Sequence, residues 1–500
     1  MRIALVPLDE RPVSVDLPAQ VAAIAGVELV TPPTVAMPDF RRPADVGALY
    51  AWLRQIAASG EIDHLVVCVD TLVHGGIIPA RITNDTVTTA LQRLDLLREL
   101  RTSAPGLPIT AASLIMRASD SYSDVEEPPY WNHFGRELHR LGAQLHRQLE
   151  ADVAGAPGDG RVEPGIVPDT IRSDFELRRL RNHLINLAAL GLHEEGVLTA
   201  LAITADDTAP HSAGSAEQVW LRHWARALPR GPQVLMYPGA DEVGAVLVAR
   251  AITDRLGTPA WRIVCGEPDG LQRIPNFENA PLRESITRQI TVSGGRLAGP
   301  EDDAPLVLVV HAPDPEHGDY FSTRHHSEPL ATEGTVNAVR VALDTGALVA
   351  LADVRFSNGG DPQLVDRLAD EGLLLHLASY GGWNTAGNTI GGAVAQATAL
   401  WAGRTRGSVD QVAHRAALLT RILDDRAYQA GSRPAMQDVE FAGTIGPVDP
   451  MTERAAVTRI SGDLGAYLDS VLPAGELWHI DDVRLPWHRS FEVGFRIEQG

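Results

Sequence analysis

Short apolar runs alternate with amphipathic stretches through the first half of the chain. Residues 3–7, 27–30, 64–69 and 108–115 read as strands, while 44–58 and 86–101 carry the three- and four-residue apolar spacing of helices. This βα alternation predicts a mainly parallel sheet. Leu138, Leu141, Leu145 and Leu149 mark one face of a long helix, and a Gly/Pro-rich loop over 154–168 separates it from a second at 174–192. An apolar run within 198–212 then stops abruptly on two adjacent carboxylates, Asp206 and Asp207. A helix at 216–227, a strand at 233–237 and a helix at 243–256 follow.

Beyond Gly257 the connections lengthen. Residues 262–265, 306–311, 348–353 and 373–378 are strand-like and fall between helices such as 335–343 and 362–369. The pattern leaves open whether the first of these strands close a barrel or begin a second sheet. From about Val409 the chain is mainly helical, at 411–428 and 453–471, and ends in a tail whose Trp478 and Trp487 are expected to pack back on the body. The expected fold is α/β. Residues 1–257 form a (β/α) barrel-like catalytic domain, 258–405 a second, Rossmann-like α/β domain, and 406–500 a helical C-terminal region.

Composition narrows the chemistry. With 500 residues, 44% hydrophobic and 21% charged, and a mean hydropathy of -0.05, the chain has the balance of a globular protein with a large core. No apolar run reaches the length of a bilayer span. The start, MRIALVPLDERPV, meets Asp9 and Glu10 too early for a secretory apolar region, so a cytoplasmic protein is expected. A net charge of -21 argues against nucleic acid and anionic membranes as partners; a homo-oligomer stays compatible with it. All 43 basic residues are arginine. A Schiff-base lysine and a Walker phosphate-loop lysine are therefore excluded, and no cofactor is expected. Cys68 and Cys265 each lie in an apolar run, which suits buried thiols.

Candidate chemistry gathers at the ends of the expected strands, where parallel α/β folds place their sites. Asp9, Glu10 and Arg11 follow the first, Asp70 and His74 the third, and Arg117, Ser119 and Asp120 the fourth. Asp241 and Glu242 stand in PGADEVG at the mouth of a helix. Plain loop polarity accounts for the same residues, and a helix N-cap accounts for Asp206 and Asp207. In DTLVHGGIIPAR a Gly pair, flanked by Asp70, His74 and Arg81, makes either a ligand approach or a tight turn. RFSNGGD, with Asn358, has the same two readings. In YGGWNTAGNTIGG, Trp383 can stack on a sugar while Asn384 and Asn388 match its hydroxyls; a Gly-rich cap under a Trp is the structural alternative. A metal site could draw on Asp70, His74, Asp206, Asp207, His211 and Asp241, but no metal-binding spacing supports it.

Taken in order, PLDERPV, DTLVHGGIIPAR, ITADDTAP, PGADEVG, RFSNGGD and GGWNTAGNTIGG resemble the bacterial family known as domain of unknown function 4127, over Pro7 to about Trp401. Glu10 departs from the family's PLDDRPV but keeps the acid. More distantly, a strand-terminal Asp-Asp is similar to the catalytic pair of O-GlcNAcase-like glycoside hydrolases, which are built on (β/α) barrels. That resemblance implies that Asp206 orients and polarises the substrate's 2-acetamido group and that Asp207 is the general acid/base. Two close acids also push their titrations apart, as this division requires.

The expectation is thus a glycoside hydrolase for a small or oligosaccharide N-acetylhexosaminide. Asp206 and Asp207 would be catalytic, with Asp9, Arg11, Asp70, His74, Arg81, Arg117, Asp241, Glu242, Asn358, Trp383, Asn384 and Asn388 binding substrate and no metal bound. The alternatives are a metal-dependent hydrolase or isomerase using Asp70, His74 and His211, and a non-catalytic sugar-binding protein.

Overall fold

Most apolar runs of the first half are strands covered on both faces, which is why they are apolar without alternation. The computed structural model describes residues 1–155, 165–316, 318–319, 329–437, 439–444 and 446–500. Its first six strands are β1 (Arg2–Val6), β2 (Glu28–Val30), β3 (His64–Cys68), β4 (Ile109–Ile115), β5 (Ala200–Ala205) and β6 (Leu235–Pro238). Every residue of β3 and β4 is buried. The pairings β1–β3, β3–β4, β4–β5 and β5–β6 are parallel, and the sheet order is β2-β1-β3-β4-β5-β6. A barrel wall needs each strand beside the next in the chain. Here β1 lies between β2 and β3, β2 and β6 end the row, and no pair closes it among the described residues.

Three of the four strands expected after Gly257 belong to a second parallel sheet. β7 (Ala260–Cys265), β8 (Arg296–Leu297), β9 (Leu306–His311), β10 (Leu348–Asp353) and β11 (Ser379–Gly381) run in the order β11-β10-β9-β7-β8. Numbered along the chain, both sheets begin 2-1-3-4-5, the order of doubly wound sheets that bind ligands at their carboxyl edge. Val307, Val309, Val349 and Leu351 share a buried cluster with the helices Pro329–Asp344 and Pro362–Asp370. Their strand neighbours point to the opposite face. The strand expected at 373–378 is instead a tight turn, Leu374–His376, and β11 starts just after it. Leu374 and Leu377 are apolar because they plug the same cluster.

The chain forms two compact units, one of Met1–Glu10, Leu29–Leu247 and Phe277–Ala280, the other of Arg11–Glu28, Val248–Asn276 and Pro281–Gly500. In the first, the helix expected at 86–101 is two, Val87–Leu94 and Leu96–Ser103. The long helices are Trp131–Ala154 and Asp169–Glu194; of the loop expected between them, residues 156–164 lie outside the described residues. In the second unit, the helix Gln411–Arg421 runs into a π-helical segment, Ile422–Ser432, and the helix Pro450–Val471 precedes an antiparallel pair, β12 (Trp478–Arg484) and β13 (Gly494–Gln499). Trp478 and Trp487 are both buried there. Among the described residues, no helix is long and apolar enough to cross a membrane.

Candidate functional site

Asp206 continues the pairing of β5, its N–H donating to Ile115 O at 3.1 Å, and the chain leaves the sheet at Asp207. The helix that follows, Ala213–Ala227, is capped by Ser212, whose Oγ accepts the Ser215 N–H at 3.0 Å. The helix-cap reading of the Asp pair therefore falls. Both carboxylates instead meet arginines. Arg81 Nη2 donates to Asp206 Oδ2 at 2.5 Å, and Arg117 Nη1 to Asp207 Oδ2 at 3.0 Å. Glu126 joins the two arginines, its Oε2 accepting from Arg81 Nη1 at 2.9 Å and Arg117 Nη2 at 2.7 Å. Glu127 Oε1 accepts from Arg117 Nε at 3.1 Å.

The local sequence explains how Arg81 arrives. DTLVHGGIIPAR is two short helices, Val69–His74 and Ile77–Ile82, and the Gly pair breaks the chain between them. Gly75 takes φ 87°, and a Cβ there would meet Pro43 Cβ at 2.6 Å, so only glycine turns this corner and swings Arg81 under β5. The Gly pair makes a tight turn, and its product is the placement of a guanidinium.

Burial makes the charge count consequential. Arg81 is almost fully buried, and a buried guanidinium needs carboxylate partners. Four carboxylates surround two guanidinia, so protons are held more tightly. Asp207 is pushed up to about 6, first by its burial among protein atoms and then by Asp206, against the pull of Arg117 and Arg81. It nevertheless keeps 29% of its side chain open, whereas Asp206 keeps 11%. Among the described residues, Oδ1 of each aspartate accepts no hydrogen bond.

Asp70 lies deeper, with Oδ2 accepting the Leu114 N–H at 2.9 Å, and burial pushes it up to about 7. An unfolded Asp titrates near 4. Between those values the folded chain holds the extra proton, so stability falls as pH rises towards 7. Asp70→Asn, whose amide oxygen can still accept from Leu114, is expected to stabilise the protein by roughly 2–4 kcal/mol at pH 8 and by little at pH 4. Urea unfolding at both pH values measures this, and an equal effect at the two would refute it.

The other residues expected in the first unit are present with different surroundings. Asp9 is buried at the end of β1, beside the Thr71 Oγ1 to Leu8 O bond of 2.6 Å. Glu242 folds back over Gly239, and its Oε2 accepts the Ala240 N–H at 2.9 Å, which makes it a turn-bracing group ahead of the helix Val243–Thr253. Asp241, beside it, is buried as well. His74 is buried, which depresses its titration. His211 bonds Glu150 at 3.0 Å and stands edge-on to His146. Among the described residues, no three His, Cys, Asp or Glu side chains gather as a metal requires, so the donor set proposed for a metal is not assembled.

The remaining expected residues belong to the second unit. Arg11 donates to Glu492 Oε1 at 2.8 Å and lies 4.5 Å over the Trp487 ring, a buried ion pair and cation–π contact. In RFSNGGD, Asp361 caps the helix Pro362–Asp370 through Gln363 N–H at 3.1 Å, and its own N–H donates to Asp353 Oδ2 at 2.7 Å. Asn358 and Asn384 both adopt positive φ, 58° and 63°, and Asn358 N–H donates to Asn384 O at 3.0 Å. Asn388 is buried in the first turn of the helix Ala386–Arg406, and Trp383 is buried against Phe491.

Two acid pairs escaped the sequence reading. Glu126 and Glu127 lie in a loop without periodicity. Asp424 and Asp425 sit inside an apolar helical pattern, on the π-helical segment. Asp425 O accepts the Gly360 N–H at 2.9 Å and its Oδ2 the Gly382 N–H at 2.7 Å, so one residue clamps both glycine loops. Burial pushes Asp425 up to about 7 and Asp353 to about 6. Adjacency of two acids, the signal used for Asp206 and Asp207, would have found both pairs. A cleft of about 850 Å³ lies elsewhere in this unit, lined by Val264, Cys265, Val307, Ala338 and Trp401, and none of the expected site residues lines it.

No curated protein matches the chain. The sequence model of the family described as "Protein of unknown function (DUF4127)" matches residues 3–496, and the chain belongs to that family.

Proposed function

We propose that the chain is a glycoside hydrolase acting on N-acetylhexosaminides by a substrate-assisted, retaining mechanism. The observation that supports it is the unequal pair at the end of β5. Asp207 is open enough to meet a substrate and is raised to about 6, while Asp206 is the more enclosed and is held by Arg81. In this reading the acetamido oxygen attacks C1 as Asp207 gives its proton to the leaving oxygen, and Asp206 accepts from the acetamido N–H as positive charge develops. Asp207, now ionised, takes a proton from the water that opens the oxazoline at C1. Configuration is retained because C1 is inverted twice.

Arg81 and Arg117 have a defined part in this scheme. They hold one oxygen of each carboxylate and leave the other for the sugar, and Glu126 sets the spacing of the two guanidinia. The test is hydrolysis of aryl N-acetyl-β-hexosaminides by the full chain, with the 2-deoxy and 2-hydroxy analogues as controls. Turnover that needs the acetamido group supports the proposal. Absence of turnover on any amino sugar, or equal turnover of the 2-hydroxy analogue, removes it.

A further inference from the structure

The carboxyl edge of the second sheet carries polar atoms that the reading of Asp206 and Asp207 does not use. We infer that the loops following β10 and β11 form a binding site of the second unit for a sugar, with one hydroxyl seated between Trp383 and Asn358. The argument starts from what these loops lack. Trp383 is 4% exposed, yet among the described residues its Nε1–H has no acceptor and the buried Oδ1 of Asn358 has no donor. A buried polar atom without a partner is costly when nothing fills it.

The frame around those two atoms is tied by several hydrogen bonds, and within it the buried Oδ1 of Asp425 also lacks a hydrogen-bond partner among the described residues. Asp425 accepts from Gly360 and Gly382, Asp353 accepts from Asp361, Asn358 N–H reaches Asn384 O, and Thr389 Oγ1 donates to Trp383 O at 2.9 Å. Glycine is required inside the frame, because a Cβ on Gly360 would meet Tyr380 Oη at 1.9 Å and one on Gly382 would meet it at 2.7 Å. The loops therefore cannot readily shift to satisfy the two atoms themselves. Positive φ at Asn358 and Asn384 adds strain of the kind that persists at ligand sites.

The missing partners define the ligand chemistry. One unpaired donor and one unpaired acceptor, on loops tied together by a backbone bond, call for a group that accepts and donates at once. A hydroxyl does both. A neutral polyhydroxylated ring also offers an apolar face to the aromatic edge formed by Trp383 and Phe491, whose rings are 6.1 Å apart. The inference shares its ligand class with the proposed hydrolase but stands on different atoms.

The experiment follows the indole N–H resonance of the full-length protein that disappears in Trp383→Phe, while N-acetylglucosamine is added to millimolar concentration. The resonance is expected to shift, and to shift likewise in Asp207→Asn. Asn358→Gly, which suits the positive φ and deletes the amide, is expected to weaken the binding read from this resonance about tenfold. Trp383→Phe keeps the ring and is expected to weaken binding by a similar factor in calorimetry. A resonance that stays fixed in the wild type, as it would if a single water fills the gap, overturns the inference. So does a titration unchanged by Asn358→Gly. Loss or absence of turnover bears on the hydrolase reading alone.

Discussion

Asp207→Asn is expected to lower kcat/KM for an N-acetylhexosaminide with a poor, alkyl-type leaving group by about 10²–10⁴-fold, the usual contribution of a positioned general acid. With a nitrophenyl leaving group, which departs without a proton, the loss in the first step should be far smaller. The pH dependence carries a sign. The acid must be protonated in the free enzyme, and Asp207 is raised to about 6, so wild-type kcat/KM should fall as pH rises through that value. At pH 7 only about one-tenth of the molecules hold the proton. The alkaline limb should vanish in Asp207→Asn. Asp206→Asn should differ in kind, costing most on acetamido substrates. A single set of pH–rate profiles on two leaving groups checks all of this; equal losses on both groups, or an alkaline limb that survives in Asp207→Asn, would count against the assignment.

Strands were legible wherever burial on both faces made them continuously apolar, as in β3, β4, β9 and β10. They were illegible where length failed: β8 has two residues and β11 three. The Leu-rich stretch at 373–377 was misread because apolar composition reports burial, whatever the backbone does. Strand order was out of reach for a deeper reason. A barrel and an open parallel sheet share the same βα alternation, and only long-range pairing, here β1 with β3, separates them.

The candidate site divides in the same way. Asp206 and Asp207 announced themselves because the apolar run of β5 breaks on them. Arg81 and Arg117 stood out only as substrate-binding candidates, and their pairing with the two aspartates was not legible. Arg81 lies 125 residues before Asp206 and Arg117 lies 90 before Asp207, and neither has a periodic signal. Glu126 has meaning only once both arginines are in place. Arg11 and Glu242 stood out by their position at strand ends, which gave no hint of the pairing of one with Glu492 or of the other's bond to Ala240.

Arg81→Met should destabilise the protein by about 3–5 kcal/mol at neutral pH, the range for breaking a buried ion pair from one side. Methionine fills most of the volume, so the cost is electrostatic. The guanidinium contacts Asp206, Glu126 and, at 3.7 Å, Glu127. With it gone, all four carboxylates share Arg117 alone, and each is driven towards protonation. That gives the effect its pH signature. Arg81 offsets the negative charge of its neighbours, so the variant's deficit should be largest at pH 7–8 and shrink as pH falls and the orphaned acids take up protons. Adding Asp206→Asn to Arg81→Met should recover part of the loss, because one uncompensated charge is removed, and the two changes should be strongly non-additive. A packing role for Arg81 predicts the opposite: a deficit independent of pH and no recovery in the double variant. Thermal unfolding of the four proteins at pH 5 and 8 separates the two outcomes. It also tests whether the Asp206–Arg81–Glu126–Arg117–Asp207 chain is one electrostatic unit, which the roles assigned to Asp206 and Asp207 require.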